Sequence, residues 1–275
     1  MRLGFGFGLQ YSRLSGGDGI DPQAQAQITR IQNAGGTIED TSVIDADIKF
    51  LKSIGLFGNL KYAVDPRAGI TQRVDGSDTF ASKIFDYSGS DADTANATGS
   101  EQPKKGILNG VTSLDFDGSD DILTNTNTVS FLAGEEMFSV SVYAQDFTGI
   151  DFGQILDKFS PNEYGKSFGK NSNNMNLFGL SINFDSYQNI QIIASGTADT
   201  SNLIKGFING TEKGAPITIS SNHVGKSIGQ LRPVNPASRS AKAQFQKNWD
   251  FNALPTESQA QAITDYLQNQ FNITF

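Results

Sequence analysis

The sequence predicts a mainly β protein, a turn-rich antiparallel sandwich with helices near both ends, and three observations carry that prediction. The chain holds 29 glycines and 20 phenylalanines against only 18% charged residues, which suits many turns around an aromatic core. Turn clusters recur at short intervals: Asp75-Gly76-Ser77-Asp78, Ser88-Gly89-Ser90-Asp91, Asn109-Gly110 and Asp117-Gly118-Ser119-Asp120. Between them, segments such as Phe138-Ser139-Val140-Ser141-Val142-Tyr143 and Leu180-Ser181-Ile182-Asn183-Phe184 alternate with period two.

From the start of the chain, Leu3, Phe5, Phe7 and Leu9 alternate with small residues, which is strand periodicity. The intervening glycines weaken the strip on its own. It reads either as an edge strand or tail of its own domain, or as an assembly strand for a neighbouring sheet or subunit. A continuous apolar run with a small-residue cleavage site is missing, so this stretch is expected to remain in the mature protein. Residues 1–20 form an extended attachment segment in this reading.

From Asp21 the period changes. Asp21-Pro22 marks a helix start, with Asp as cap and Pro in the first helical position. Ala24, Ile28 and Ile31 follow at helical spacing, and Ala34-Gly35-Gly36 ends the run. Thr41 or Ser42 caps a second helix whose apolar side holds Ile44, Ile48 and Leu51. Residues 21–62 therefore form a helical hairpin, too short to hold its own core and obliged to dock elsewhere. Strand candidates then run over Ser113–Phe116, Phe138–Ala144, Gly153–Lys158, Leu177–Phe184, Ile190–Ala194, Leu203–Ile208 and Ile217–Ser220. A closing helix starts at Pro255-Thr256-Glu257-Ser258, with Ala260, Ile263, Tyr266 and Leu267 as its stripe.

Composition excludes several classes. With no cysteine, disulfides and thiolate chemistry are impossible. A net charge of −8 opposes nucleic-acid binding, which needs clustered Lys and Arg. No run approaches the roughly 20 apolar residues of a membrane span.

Several segments also resemble a known family. Ser113-Leu114-Asp115-Phe116-Asp117-Gly118-Ser119-Asp120-Asp121-Ile122 resembles the FDG-x-DD signature of concanavalin-like, laminin-G-like jelly rolls. Ile84–Gly89 resembles the family's W-x-D-x-SG segment, with Phe for Trp. Phe138–Tyr143 is similar to its core strand, Gly206-Phe207-Ile208-Asn209-Gly210 to its Asn-Gly hairpin, and Ala253-Leu254-Pro255-Thr256-Glu257 to its closing segment. The resemblance covers about residues 63–275 and implies a two-sheet antiparallel jelly roll. Residues 21–66 resemble a helical segment of phage virion and tail proteins, with Phe57-Gly58-Asn59-Leu60-Lys61 departing from the usual pattern.

Candidate chemistry is sparse. Glucanases of this fold carry Glu-x-Asp-x-x-Glu on one strand, and retaining hydrolysis needs two carboxyl groups about 5 Å apart. That motif is absent; Glu135 and Glu136 are adjacent and point apart in a strand. His223 is the single histidine and has no Gly-x-Ser-x-Gly elbow to serve. Asp115, Asp117, Asp120 and Asp121 form the one candidate site for a hard cation such as calcium, with turn capping as the alternative role. Tyr164, Asn173, Tyr187 and Asn189 lie in polar loops with aromatic tips, the composition of a glycan site or of a subunit contact. Trp249, between Phe245 and Phe251, is expected in the core.

The expectation is thus a non-enzymatic phage virion protein, a capsid, fibre or tail component on the particle surface. It needs no cofactor, self-associates or contacts other virion proteins, touches a surface glycan, and is tethered through Leu3, Phe5, Phe7 and Leu9. The alternatives are a free carbohydrate-binding lectin and, last, a glycoside hydrolase.

Overall fold

The computed structural model describes residues 19–117, 120–130, 136–146, 156–158, 169–171, 174–177, 180–183, 190–197, 203–208, 211–218, 227–231, 234–235, 239–240, 242–253 and 255–273. Among them are three α-helices, α1 (Pro22–Asn33), α2 (Thr41–Ser53) and α3 (Glu257–Phe271), and two short 3-10 turns, Phe57–Asn59 and Gly99–Glu101. The first strands are β1 (Leu60–Val64), β2 (Ile70–Asp75), β3 (Asp78–Ile84), β4 (Thr94–Ala95), β5 (Lys104–Leu108), β6 (Val111–Asp117), β7 (Leu123–Ser130) and β8 (Glu136–Asp146). Then follow β9 (Leu156–Lys158), β10 (Gly169–Asn171), β11 (Asn174–Leu177), β12 (Leu180–Asn183), β13 (Ile190–Thr197) and β14 (Leu203–Ile208). The last are β15 (Thr211–Thr218), β16 (Ser227–Leu231), β17 (Val234–Asn235), β18 (Arg239–Ser240) and β19 (Lys242–Phe251).

The helix ends follow side-chain chemistry. Asp21 caps α1 by accepting from the Gln23 N–H, with Pro22 in the first turn. At α2 the cap is Asp40, which accepts from the Ser42 N–H, upstream of the expected Thr41 or Ser42. Thr256 and Gln259 make a reciprocal capping box on α3, and Asn272 ends it in the left-handed region at φ 52°.

Among the described residues every strand pair is antiparallel, and the path β15-β14-β13-β8-β19-β6-β5-β3-β4-β7-β16-β9 is continuous, with β1 joining β19 and β2 joining β3. β10-β11-β12 and β17-β18 form two smaller sheets. A mainly β, antiparallel fold is consistent with a β-sandwich. Asn109 and Gly110 both adopt positive φ, 52° and 77°, in the two-residue turn between β5 and β6. The single expected strand Leu177–Phe184 is instead a hairpin, β11–β12, and β15 begins at Thr211, upstream of the expected Ile217.

Side chains of the helices and the sheet share one core. Ala24, Ile28 and Ile31 of α1 and Ile44, Ile48 and Leu51 of α2 join Trp249, Phe251 and Leu267 in a single buried cluster. The hairpin docks on the face of β19 and β8, as its length demands. Trp249 is fully buried. The Gln259 amide, at the start of α3, donates to the Ile54 carbonyl just after α2. Among the described residues no helix is long and apolar enough to cross a membrane.

Gly36 sits where α1 meets the sheet. A Cβ there would lie 2.6 Å from both Ile31 Cγ2 and Phe85 Cε2. Gly36→Ala should therefore destabilise by about 1–3 kcal/mol in urea unfolding, because the packed core must shift. Gly58→Ala, where a Cβ meets nothing within 4 Å, is the matched control.

Candidate functional site

Two groups of polar side chains stand out among the described residues. The first is the acidic turn after β6. Asp117, Asp120 and Asp121 bring carboxylate oxygens within 4.8 Å of one another, a set of ligands suited to a hard cation. Asp117 and Asp120 are exposed, whereas Asp121 is buried. The backbone N–H of Asp117 donates to Asp121 Oδ2 at 2.8 Å. Asp115 does not belong to this group. Its Oδ1 accepts from the Ser113 hydroxyl at 2.6 Å and from the Gln244 amide at 3.2 Å. The carboxylate lies across Gly106, where any side chain would overlap it.

Burial pushes the Asp121 carboxyl up to about 6, and the Asp117 and Asp120 carboxylates add to the shift against the Asp117 N–H. The folded state thus binds its proton more tightly than the unfolded chain. The corresponding stability is full below about 3.8 and fades as pH rises through about 6.

The second group is buried, and the sequence reading passed over it. Asp47 stands on the apolar stripe of α2, between Ile44, Ile48 and Leu51, and is fully inaccessible. Its Oδ2 accepts from the Tyr87 hydroxyl and from Lys247 Nζ, each at 2.6 Å. Its Oδ1 accepts from the Tyr266 hydroxyl at 2.8 Å and the Gln270 amide at 3.0 Å. Lys247 Nζ also donates to Gln270 Oε1 at 2.8 Å and stands 3.4 Å from Asp65 Oδ2. Arg67 grips Asp65 through Nε and Nη2, at 3.0 and 2.6 Å. The indole N–H of Trp249 donates to the Tyr87 hydroxyl at 2.9 Å.

Local structure brings these groups together. Lys247 follows a bulge in β19, where the pairing with β8 shifts between Phe245 and Lys247. From there Lys247, Trp249 and Phe251 alternate onto one face. Aromatic rings line the chamber: Lys247 Nζ lies 4.7 Å from the Trp249 ring and 5.5 Å from that of Phe271. Arg67 also lies over the Phe271 ring at 4.6 Å, and Phe50 stacks on Tyr266 at 4.0 Å.

Burial pushes the Lys247 ammonium below its usual range, against the pull of Asp47 and Asp65. Burial would raise the Asp65 carboxyl, yet Arg67 and Lys247 outweigh it and hold the group low. Tyr87 and Tyr266 are pushed up by burial and by Asp47, so both remain hydroxyl donors. No open face reaches this chamber's four charged groups except beside Arg67, the least buried of them. The arrangement is a closed polar core.

The structure leaves the other sequence candidates open. Tyr164, Asn173, Tyr187 and Asn189 lie outside the described residues, as do Leu3, Phe5, Phe7 and Leu9. His223 and Glu135 do too.

No family model and no curated protein matches the chain. Solved structures do. The binding domain of Paraclostridial mosquitocidal protein 1 aligns with a TM-score of 0.51 at 14% identity, over 78% of this chain and 53% of that one. The ligand-binding domain of botulinum neurotoxin serotype D, in complex with N-acetylneuraminic acid, aligns at 0.53 and 11% identity, over 77% and 52%. Trypanosoma rangeli sialidase in complex with sialic acid aligns at 0.56 and 10% identity, over 92% of this chain and 40% of that one. The chain thus spans about half the length of the toxin domains and less of the sialidase. At these identities the likeness concerns fold: a mainly antiparallel β-sandwich architecture.

Two measurements follow. By carbon-detected NMR the Asp121 carboxyl should titrate near pH 6, and Asp120→Asn should move it downward. Tyr87→Phe should cost about 1–3 kcal/mol in urea unfolding, because it strands the buried Trp249 N–H and removes a donor from Asp47.

Proposed function

We propose that this chain is a non-enzymatic, lectin-like module that binds surface glycans, sialylated ones among them. One observation carries the reading: two fold neighbours of different origin, a toxin ligand-binding domain and a sialidase, are each described in complex with a sialic acid. The module would be a two-sheet jelly roll over about residues 63–275, with the hairpin of 21–62 docked on it. Sugar recognition by sandwich folds relies on loops, where an aromatic ring stacks on the sugar face and amides take its hydroxyls. Tyr164 with Asn173, and Tyr187 with Asn189, supply those groups in this sequence. Lys166 and Lys170, close to Tyr164 in sequence, offer cations for a sugar carboxylate, against a net charge of −8 over the chain.

The missing Glu-x-Asp-x-x-Glu strand speaks against a glucanase of this fold. Self-association would strengthen weak sites by avidity. The virion reading gains no support from the proteins this chain resembles, and the free glycan-binding module is preferred to it.

On a glycan array, the purified chain should bind sialylated over neutral oligosaccharides. Tyr164→Ala and Tyr187→Ala should each weaken binding at least about tenfold, the equivalent of ~1.4 kcal/mol. Absence of binding to every arrayed glycan at millimolar sites would sink the proposal.

A further inference from the structure

The chamber around Lys247 holds more than an ion pair. The Nζ of Lys247 lies 2.6 Å from Asp47 Oδ2, and both side chains are 0% exposed. A second carboxylate, Asp65, stands 3.4 Å from the same nitrogen and is equally inaccessible. The two oxygens of Asp47 are treated differently. Oδ1 receives two neutral donors, Tyr266 at 2.8 Å and Gln270 at 3.0 Å. Oδ2 faces the amine and takes the Tyr87 hydroxyl. An amine, a carboxyl group, a proton-transfer group and a pair of donors on the opposite oxygen are the parts of an acyl-transfer site.

We propose that Lys247 and Asp47 join through an isopeptide bond, formed within the folded chain without any external reagent. The neutral pair, one proton transfer from Nζ to Oδ2 away from the ion pair, is the reactive form, and burial of the Lys247 ammonium lowers the cost of reaching it. The Nζ lone pair then attacks Cγ of Asp47, forming the C–N bond and placing negative charge on Oδ1. Tyr266 and Gln270 already point at that oxygen. The surplus proton on Nζ passes to the Asp65 carboxylate and from there to Oδ2. The C–Oδ2 bond breaks and Oδ2 leaves as water. An amine and an acid become an amide and water, nothing is oxidised, and Asp65 ends as it began.

Three features drive the step. Fixed juxtaposition supplies a high effective concentration. Arg67 keeps Asp65 ionised and so ready to take the proton. Condensation also removes two buried charges, leaving the Asp65–Arg67 pair balanced. Burial then keeps bulk water from reversing the reaction.

The test is the intact mass of the purified full-length chain under denaturing conditions. The mass should fall one water, about 18 Da, below the value calculated from the sequence. Proteolysis should yield one branched peptide joining the segments around residues 47 and 247. A full calculated mass, or separate unmodified peptides carrying Asp47 and Lys247, overturns the proposal. So does a water loss mapped to any other pair. Lys247→Arg should restore the full mass, and a water loss that persists in it equally overturns the assignment. Asp65→Asn should leave a larger unlinked fraction than the natural chain. Linkage as complete as in the natural chain would remove Asp65 from the step.

Discussion

A carboxylate with no access to water must find its compensation inside the protein, and Asp47 is that carboxylate here. A charge moved from water to an apolar interior costs several kcal/mol unless donors and a counter-ion surround it. Asp47 collects its four partners from three different parts of the chain: the Tyr87 segment, β19 through Lys247, and α3 through Tyr266 and Gln270. None of these suffices alone. The two acids, Asp47 and Asp65, and the two cations, Arg67 and Lys247, balance only when α2, the end of β1, β19 and α3 are all in place. Half of such a network is worse than none, because the remaining charge is stranded. The helices, read by themselves as an appendage, are bound into the sheet by the same condition.

The same constraint spans long stretches of sequence. Asp47 and Lys247 are 200 residues apart in sequence, and Gln270 lies farther still. Closing so long a loop is entropically costly before its contacts reward it. Contacts between neighbours in sequence carry no such cost. The α1 and α3 caps, the β5–β6 turn at Asn109-Gly110 and the β2–β3 hairpin all form from neighbours in sequence. The turn around Asp86 belongs with them: its carboxylate accepts from the backbone N–H groups of Ser88, Ala92 and Ala63, so it holds β1 against the 85–92 segment. The buried network ties these pieces together.

Much of the scaffold was legible because it rests on local chemistry. Asp21-Pro22 marks the start of α1, and the alternation at 138–143 marks β8. The polar core was not legible, and the reason is physical. A pattern that sorts residues into apolar and polar assigns Asp47 and Lys247 to the surface, because an unpaired charge belongs there. Burial of either is affordable only through the other, at a separation no local pattern spans. The bulge before Lys247 hides it further, since a one-residue shift in β19 decides which face the lysine takes. Two signals were nevertheless present: an acid inside the stripe Ile44, Asp47, Ile48, Leu51, and a lysine alternating with Trp249 and Phe251. At the acidic turn the reverse happened. Proximity in sequence grouped Asp115 with Asp117, Asp120 and Asp121, whereas the strand carries Asp115 over Gly106 and away from the other three.

The two groups of carboxylates show opposite solutions to the same problem. Asp47 is surrounded by donors on every side, so its surroundings are fixed and its charge is matched. Among the described residues, Asp121 is buried beside the Asp117 N–H and the Asp117 and Asp120 carboxylates, and its carboxyl holds a proton more tightly than an exposed one. A matched group contributes rigidity, and a mismatched one contributes sensitivity to the medium. The sheet therefore carries a stiff pole at the helices, where α2, β19 and α3 meet. After β6 it carries a pH-responsive one at Asp121, beside the exposed Asp117 and Asp120. Loops of the second kind, held by a scaffold of the first kind, are where a sandwich can alter what it binds without disturbing how it folds.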